Sequence, residues 1–355
     1  ALAGIQAARN ENPAARQSMQ KALALDPRSA AAANALGQSC FRLEPKDYAQ
    51  AETYMRQLID LVPEEAKAYE WLGDLKRAQN DLPAALEAYT QATDRDPRLV
   101  MAQQKKGHVN SFLGNFEEAR ADYDAALENG RPENTPQYAN FRAFTHIHAG
   151  EIQAALDQLA ELVGAVETMG TPVDQVKGNQ VFTLTNHITV ALHHGKLDQA
   201  AKALEQRNAL QREIAKEVGT ESSKRLQEAN CLAWEGLLAA YQGDYELAAK
   251  KAEENAKLLE EDQNPRKLEA HHRVLGVAHL LQKDFAKAAE HLRQADHRNT
   301  PYIRYQLALA EEGAGNTDEA KKLFKEVAEW NFNFVGFALV RKDAAKRAGL
   351  EAAEG

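Results

Sequence analysis

The side chains best placed to do chemistry in this sequence are its eleven histidines, its two cysteines and several runs of carboxylates. Spacing argues against each as a reactive set. His146 and His148 are two positions apart, while His193-His194 and His271-His272 are adjacent. On a helix such neighbours point in different directions, and chelation needs an i, i+3 or i, i+4 pair. His187 with His194, and His272 with His279, share a helix face, but helical rise holds each pair about 10 Å apart. No metal site is expected. Neither Cys40 nor Cys231 has a histidine within helical reach, and Ser222-Ser223 lacks the glycine elbow of a hydrolase nucleophile. Glycines stand singly, so there is no phosphate-cradling loop. Glu117-Glu118 and Glu260-Glu261-Asp262 sit beside cations and read as solvated faces. The chain carries no catalytic constellation and calls for no cofactor; it reads as a non-enzyme.

The elements carrying these residues are helices. Alanine is abundant, glycine and proline are sparse, and runs of β-branched residues are few, a mixture that favours helix over sheet. The net charge of −9 is spread over interspersed acids and bases, with no basic stripe for nucleic acid. No apolar run approaches the roughly 18 residues of a membrane span, and no signal peptide is visible at the N-terminus.

Residues 66–97 give the pattern in its plainest form. Tyr69, Leu72, Gly73 and Lys76 mark one helix, and Asn80-Asp81-Leu82-Pro83 a polar turn with a proline suited to a helix start. Ala85, Tyr89 and Ala92 mark a second helix, and Pro97 closes the unit. Aligning the small residue of the first helix, the turn and the small residue of the second divides the chain into about nine such units. Leu36-Gly37, Gly107, Ala143, Gly236, Leu275-Gly276 and Leu307-Ala308 carry the register onward. Residues 334–348 form a last amphipathic segment without a partner helix, as expected of a cap.

These residues resemble tetratricopeptide repeats, helix–turn–helix units of about 34 residues. The resemblance implies an all-α fold: a right-handed α-α superhelical solenoid of about nine helix pairs with a C-terminal capping helix. It is read as one continuous array over residues 1–355, with regular repeats in 1–132, longer irregular ones in 133–264, regular ones in 265–330, and a cap and tail in 331–355. In the irregular units the added length, 164–180 and 207–224, is expected to extend the second helices, with Gly170-Thr171-Pro172 as a turn. The array opens mid-helix, so residue 1 is expected to lie inside a longer precursor. The C-terminal part resembles the ends of exported bacterial repeat proteins, which points to an extracytoplasmic location and leaves the cytoplasm open.

In such repeats the first helices line a concave groove. The positions expected to face it are Asn34 and Gln38; Glu70, Asp74 and Arg77; Gln104 and His108; Asn140, Phe144 and His148; Thr189 and His193; and Tyr241. Arg42, Phe112, Thr185, Leu237, Arg273 and Tyr305 fall on the same register. Amides can pair with a peptide backbone, and aromatic rings supply contact area at low entropic cost. The family's chaperone-binding members hold a terminal carboxylate with lysines and asparagines; here Glu70 and Asp74 stand in that place. An acidic tail is therefore disfavoured there, and a partner bringing Lys or Arg is favoured. The expected function is a protein- or peptide-binding scaffold. The alternative is a recruiting or sensory domain of a larger enzyme or transport system.

Overall fold

The computed structural model describes residues 12–350. The half-helix expected around Leu2-Ala3 lies outside them. Eighteen α-helices account for the described chain, and no strand occurs among the described residues. Two compact units meet at Gly130–Arg131.

Unit 1 contains α1 (Asn12–Leu25), α2 (Ala30–Arg42), α3 (Tyr48–Leu61), α4 (Ala66–Ala78), α5 (Leu82–Arg95), α6 (Val100–Leu113) and α7 (Phe116–Asn129). After α1 come three antiparallel pairs, α2/α3, α4/α5 and α6/α7. Polar N-caps start several helices: Ser29, Asp47 and Asp81 accept hydrogen bonds from the backbone N–H of Ala32, Gln50 and Ala84. In the α4/α5 and α6/α7 pairs the chain turns through a left-handed residue, Asn80 (φ 60°) and Gly114 (φ 88°) respectively. The crossing needs a residue without a side chain as well. A Cβ on Gly73 would lie 2.5 Å from the Tyr89 ring, which is wholly buried. The core therefore runs between paired helices, as Ala33, Leu36, Ala51, Met55, Ala85, Tyr89 and Ala92.

Unit 2 contains α8 (Thr135–Ala149), α9 (Ile152–Ala165), α10 (Val173–His193), α11 (Leu197–Val218), α12 (Glu221–Tyr241), α13 (Tyr245–Leu258), α14 (Glu269–Leu281), α15 (Phe285–Gln294), α16 (Pro301–Gly313), α17 (Thr317–Ala328) and α18 (Val335–Ala348). The added length falls differently from expectation. α11, a second helix, is extended to 22 residues, but α9 and α13 have 14 each. The rest lengthens the first helices α10 and α12, each 21 residues. A long helix needs neighbours along its whole length, so the flanking helices grow with it. Lys177 of α10 reaches Glu213 and Glu217 of α11 at 2.9 and 2.5 Å, and Arg212 of α11 grips Glu228 of α12 at 2.8 Å. Gly170 (φ 72°) makes the expected turn before α10.

The final helix does more than close the end. α18 packs on α16 and α17, and it also reaches α8 and α10. Gly336 permits the approach to α16, because a Cβ there would lie 2.6 Å from the Cβ of Tyr302. Phe337, Val340 and Ala344 of α18 are fully buried.

Candidate binding faces of the first helices

In unit 1 the face is built from α2, α4 and α6. Asn34 and Gln38 are half-buried and joined by a Gln38 Nε2 to Asn34 Oδ1 hydrogen bond of 2.6 Å. Glu70 and Asp74 are buried. The Lys105 ammonium donates to Glu70 at 2.6 Å and to Asp74 at 2.8 Å. Arg42 reaches Asp74 at 3.1 Å, Arg77 stands 3.7 Å from it, and the Tyr89 hydroxyl donates to it at 2.8 Å. Burial, and then the Asp74 charge, hold the Tyr89 phenol well above its ordinary pKa. Gln104 contacts His108 at 3.2 Å, and His108 contacts the Tyr123 hydroxyl at 2.7 Å; all three are buried.

The acidic pair is thus neutralised by the chain's own cations, a finding that differs from the expectation of a surface offering carboxylates to a basic partner. Two like charges buried beside each other demand counter-ions, and the neighbouring repeats supply them. The sequence carried a signal for this: Arg42 precedes Asp74 by 32 residues and Lys105 follows Glu70 by 35, in each case about one repeat.

In unit 2 the face divides into two patches. On the first, α8 and α10 present an amide network. Asn140 donates to the Pro136 carbonyl at 2.8 Å and to Thr183 at 3.0 Å, and accepts from Asn186 at 2.8 Å. Across this patch lies the segment leading into α18. The rings of Phe144 and Phe332 each meet the Phe141 ring edge-on, with centroids 6.1 Å apart. His148 stands edge-on to Phe337 at 6.4 Å. Its Nε2 bonds Asn333 Oδ1 at 3.0 Å, and Asn333 is fully buried. Burial lowers the His148 pKa to about 4, so the ring is neutral and Nε2–H is the donor.

The second patch gathers Thr189 and His193 of α10, Tyr241 of α12, and Tyr302 and Gln306 of α16. Thr189 is tied back to the Thr185 carbonyl at 2.8 Å. His193 Nδ1 meets the Tyr302 hydroxyl at 2.9 Å, that hydroxyl lies 3.4 Å from Tyr241's, and Gln306 Nε2 donates to Tyr241 at 3.4 Å. Burial, and then His194, lower the His193 pKa to about 4. Thr189, Tyr241, Tyr302 and Gln306, with Trp234, Leu192, Leu237 and Arg273, line a crevice of about 10 Å³, room for one water.

The structure therefore sets His148 directly under the 331–337 segment, with Phe144 behind Phe141 and Asn140 in the amide network beside them, and places Thr189 and Tyr241 on one crevice whose Tyr302 hydroxyl bonds His193. In unit 1, Glu70, Asp74 and Arg77 share a charge network. Sequence reading missed Tyr302, Trp234, Asn333 and Phe337. It also missed His291, which comes between His272 and His279: its Nδ1 lies 3.0 Å from that of His272, and its ring stacks on His279 at 5.7 Å. Among the described residues no group of three or more His, Cys, Asp or Glu is arranged to hold a metal ion. Both cysteines are free and buried. No helix among the described residues is long and apolar enough to cross a membrane.

A family model for the tetratricopeptide repeat matches residues 46–99, 105–169 and 234–302, together more than half of the chain, and a second matches 302–329. No curated protein matches. Among solved structures, the C-terminal part of a repeat-containing protein from Cytophaga hutchinsonii is 15% identical, with 76% of this chain and 98% of that one covered, at a TM-score of 0.47. A tetratricopeptide repeat protein from Parabacteroides merdae is 18% identical, with 74% and 92% covered, at 0.45. The type IV pilus biogenesis factor PilW is 16% identical, with 67% and 96% covered, at 0.41.

Proposed function

The chain belongs to the tetratricopeptide repeat family, and from that premise we propose that it is a scaffold whose first-helix faces hold a segment of another protein, by binding rather than catalysis. One observation carries the reading: residues 331–348 of the chain itself lie along α8 and α10, with Asn333 bonded to His148 and Phe332 and Phe337 set against Phe141 and His148. A face that takes up an aromatic and amide segment in cis has the chemistry to take one up in trans. In unit 1 the corresponding face keeps Asn34, Gln38 and Arg42 partly exposed. The paired charges behind them fix the surface without presenting a net acidic field.

Photo-crosslinking residues placed singly at Gln38, at Tyr241 and at Glu87 test this in the source cell. Glu87 is exposed on a second helix. Capture of one defined protein from Gln38 or Tyr241, and none from Glu87, is the expected outcome. Capture from Glu87 alone would place binding on the outer face and sink the groove assignment.

A further inference from the structure

The second helices α9 and α11 both pack on α10 and leave a cleft between them. Its volume is about 370 Å³, within the roughly 300–1,000 Å³ of small-molecule sites. Leu156, Leu184 and Ala203 are its buried apolar lining, and the exposed Asp157 and Lys202 stand at its edge. His187 of α10 lines it too and is only 7% exposed. Neither ring nitrogen of His187 has a hydrogen-bond partner among the described residues, and Nδ1 is buried.

The repeat register shows why this imidazole stands alone. Counting eight residues back from the left-handed Gly114, Gly195 and Gly243 reaches Lys106, His187 and Glu235. Counting eight forward reaches Asp122, Ala203 and Lys251. Lys106 pairs with Asp122 at 3.1 Å, and Glu235 with Lys251 at 2.7 Å. Around Asn80 and Gly315 the same two places are both apolar, Leu72 with Ala88 and Leu307 with Leu323. Arg142 and Gln158, both polar, flank Gly150 in the same way. His187 is the polar first-helix residue set opposite a methyl group, and the side chain missing at Ala203 is the space of the cleft.

An imidazole with Nδ1 sealed off keeps its proton on Nε2, because a stranded N–H costs more than a stranded lone pair. Burial lowers the His187 pKa against the pull of the Asp157 carboxylate, so the ring is neutral at pH 7. Asp157 Oδ1 accepts from Gln153 at 2.8 Å, which leaves Oδ2 open. A group entering between them must accept from an imidazole and donate to a carboxylate, and a hydroxyl does both. Asp157 repels an anion, and with Lys202 beside it the edge calls for no net charge. The apolar lining suits a ring carrying that hydroxyl.

We propose that the cleft between α9 and α11 binds a small phenolic ligand, its hydroxyl between His187 and Asp157 and its ring on Leu156, Leu184 and Ala203. None of these residues belongs to the first-helix faces described above, so the cleft and the scaffold reading stand or fall independently.

Ligand-observed NMR titration of the full chain tests this with p-cresol, toluene and N-acetyl-tyrosine amide. p-Cresol should bind saturably and at least about fivefold more tightly than toluene, the scale of one net hydrogen bond. An apolar cleft alone would favour toluene, so the order of the two is decisive. His187→Leu installs the residue found in this register at Leu72 and Leu307, which keeps the fold, and p-cresol should then lose its advantage. Ala203→Asp gives His187 an acceptor within the chain, as Asp122 serves Lys106, and should weaken p-cresol by about tenfold or more. No saturable p-cresol binding, toluene binding as tightly, or a preference that survives His187→Leu overturns the proposal. Unchanged affinity in Ala203→Asp does the same. Tighter binding of N-acetyl-tyrosine amide than of p-cresol would assign the cleft to a tyrosine of a partner protein and overturn the small-ligand reading.

Discussion

The first-helix faces of the two units occupy equivalent places in the repeat and satisfy their buried polar groups by opposite means. In unit 1 Glu70 and Asp74 are paired with Arg42, Arg77 and Lys105, a charge lattice spanning three repeats. In unit 2 the groups are held neutral: His148 and His193 both titrate near 4, Asn140 spends its amide on Pro136, Thr183 and Asn186, and α18 packs against the helices α8 and α10 that carry them. The repeat thus prescribes which positions face inward but leaves their chemistry open. A lattice of ions depends on each partner being present. A neutral network depends on its cover and on pH.

The largest effect that would break this comparison is loss of the cover. Phe337 is fully buried, and Phe337→Ala should cost about 4 kcal/mol, the scale of a deleted core aromatic. Hydrogen exchange should then show α8 and α10 losing protection along with α18. Protection lost in α18 alone would mean that the segment merely rests on the face. The counterpart in unit 1 is Lys105→Met, which strips Glu70 of its ammonium and leaves Asp74 with its arginines. Removing one partner from a buried pair should cost about 3 kcal/mol in urea unfolding. A cost below about 1 kcal/mol would class the lattice with solvated surface pairs.

Acid separates the units next. A histidine whose folded pKa lies below its unfolded value stays neutral in the native state while the unfolded chain takes up a proton. Stability therefore falls as pH drops from 6.5, the ordinary value, towards about 4, and levels off below that. Each of His148 and His193 should contribute a slope of up to about 1.4 kcal/mol per pH unit inside that window. All the histidines except His108 lie in unit 2. Urea midpoints at pH 7 and pH 5 should differ, and His148→Gln with His193→Gln should flatten the difference. An unchanged slope in the double variant would deny the neutral network its part.

The helix pairs were legible in the sequence because Gly73, Ala85, Tyr89 and Asn80 each answer a local demand that recurs along the array: close crossing, core filling, a left-handed turn. Periodicity reports such demands well. It is silent on which distant faces meet, and His148 and Asn333 are 185 residues apart. The cap at 334–348 was visible as an amphipathic helix, but its docking on α8 and α10 had no local signature. The extended helices show the same limit. Residues 207–218 announced a long α11, while the lengthening of α10 and α12 beside it follows from packing. Arg273 was legible as an inward position; its place over the Trp234 ring is a property of the assembled neighbours.

The smallest effect expected sharpens how the cover is held. Tyr305 of α16 donates to Asp343 of α18 at 2.6 Å, a polar link between cover and body. Asp343 also carries Arg347, whose Nε lies 2.5 Å away, so removing the phenol leaves no stranded carboxylate. The Tyr305 ring keeps its edge-on contact with Phe324 at 5.7 Å in either case. Tyr305→Phe should therefore cost only about 1 kcal/mol, the net worth of one hydrogen bond whose acceptor retains another partner. Unfolding measured beside Phe337→Ala makes the distinction. If the two variants cost alike, α18 is latched by the Asp343 link; if Phe337→Ala costs several times more, apolar burial holds the cover, and unit 2 keeps its neutral face by excluding water from it.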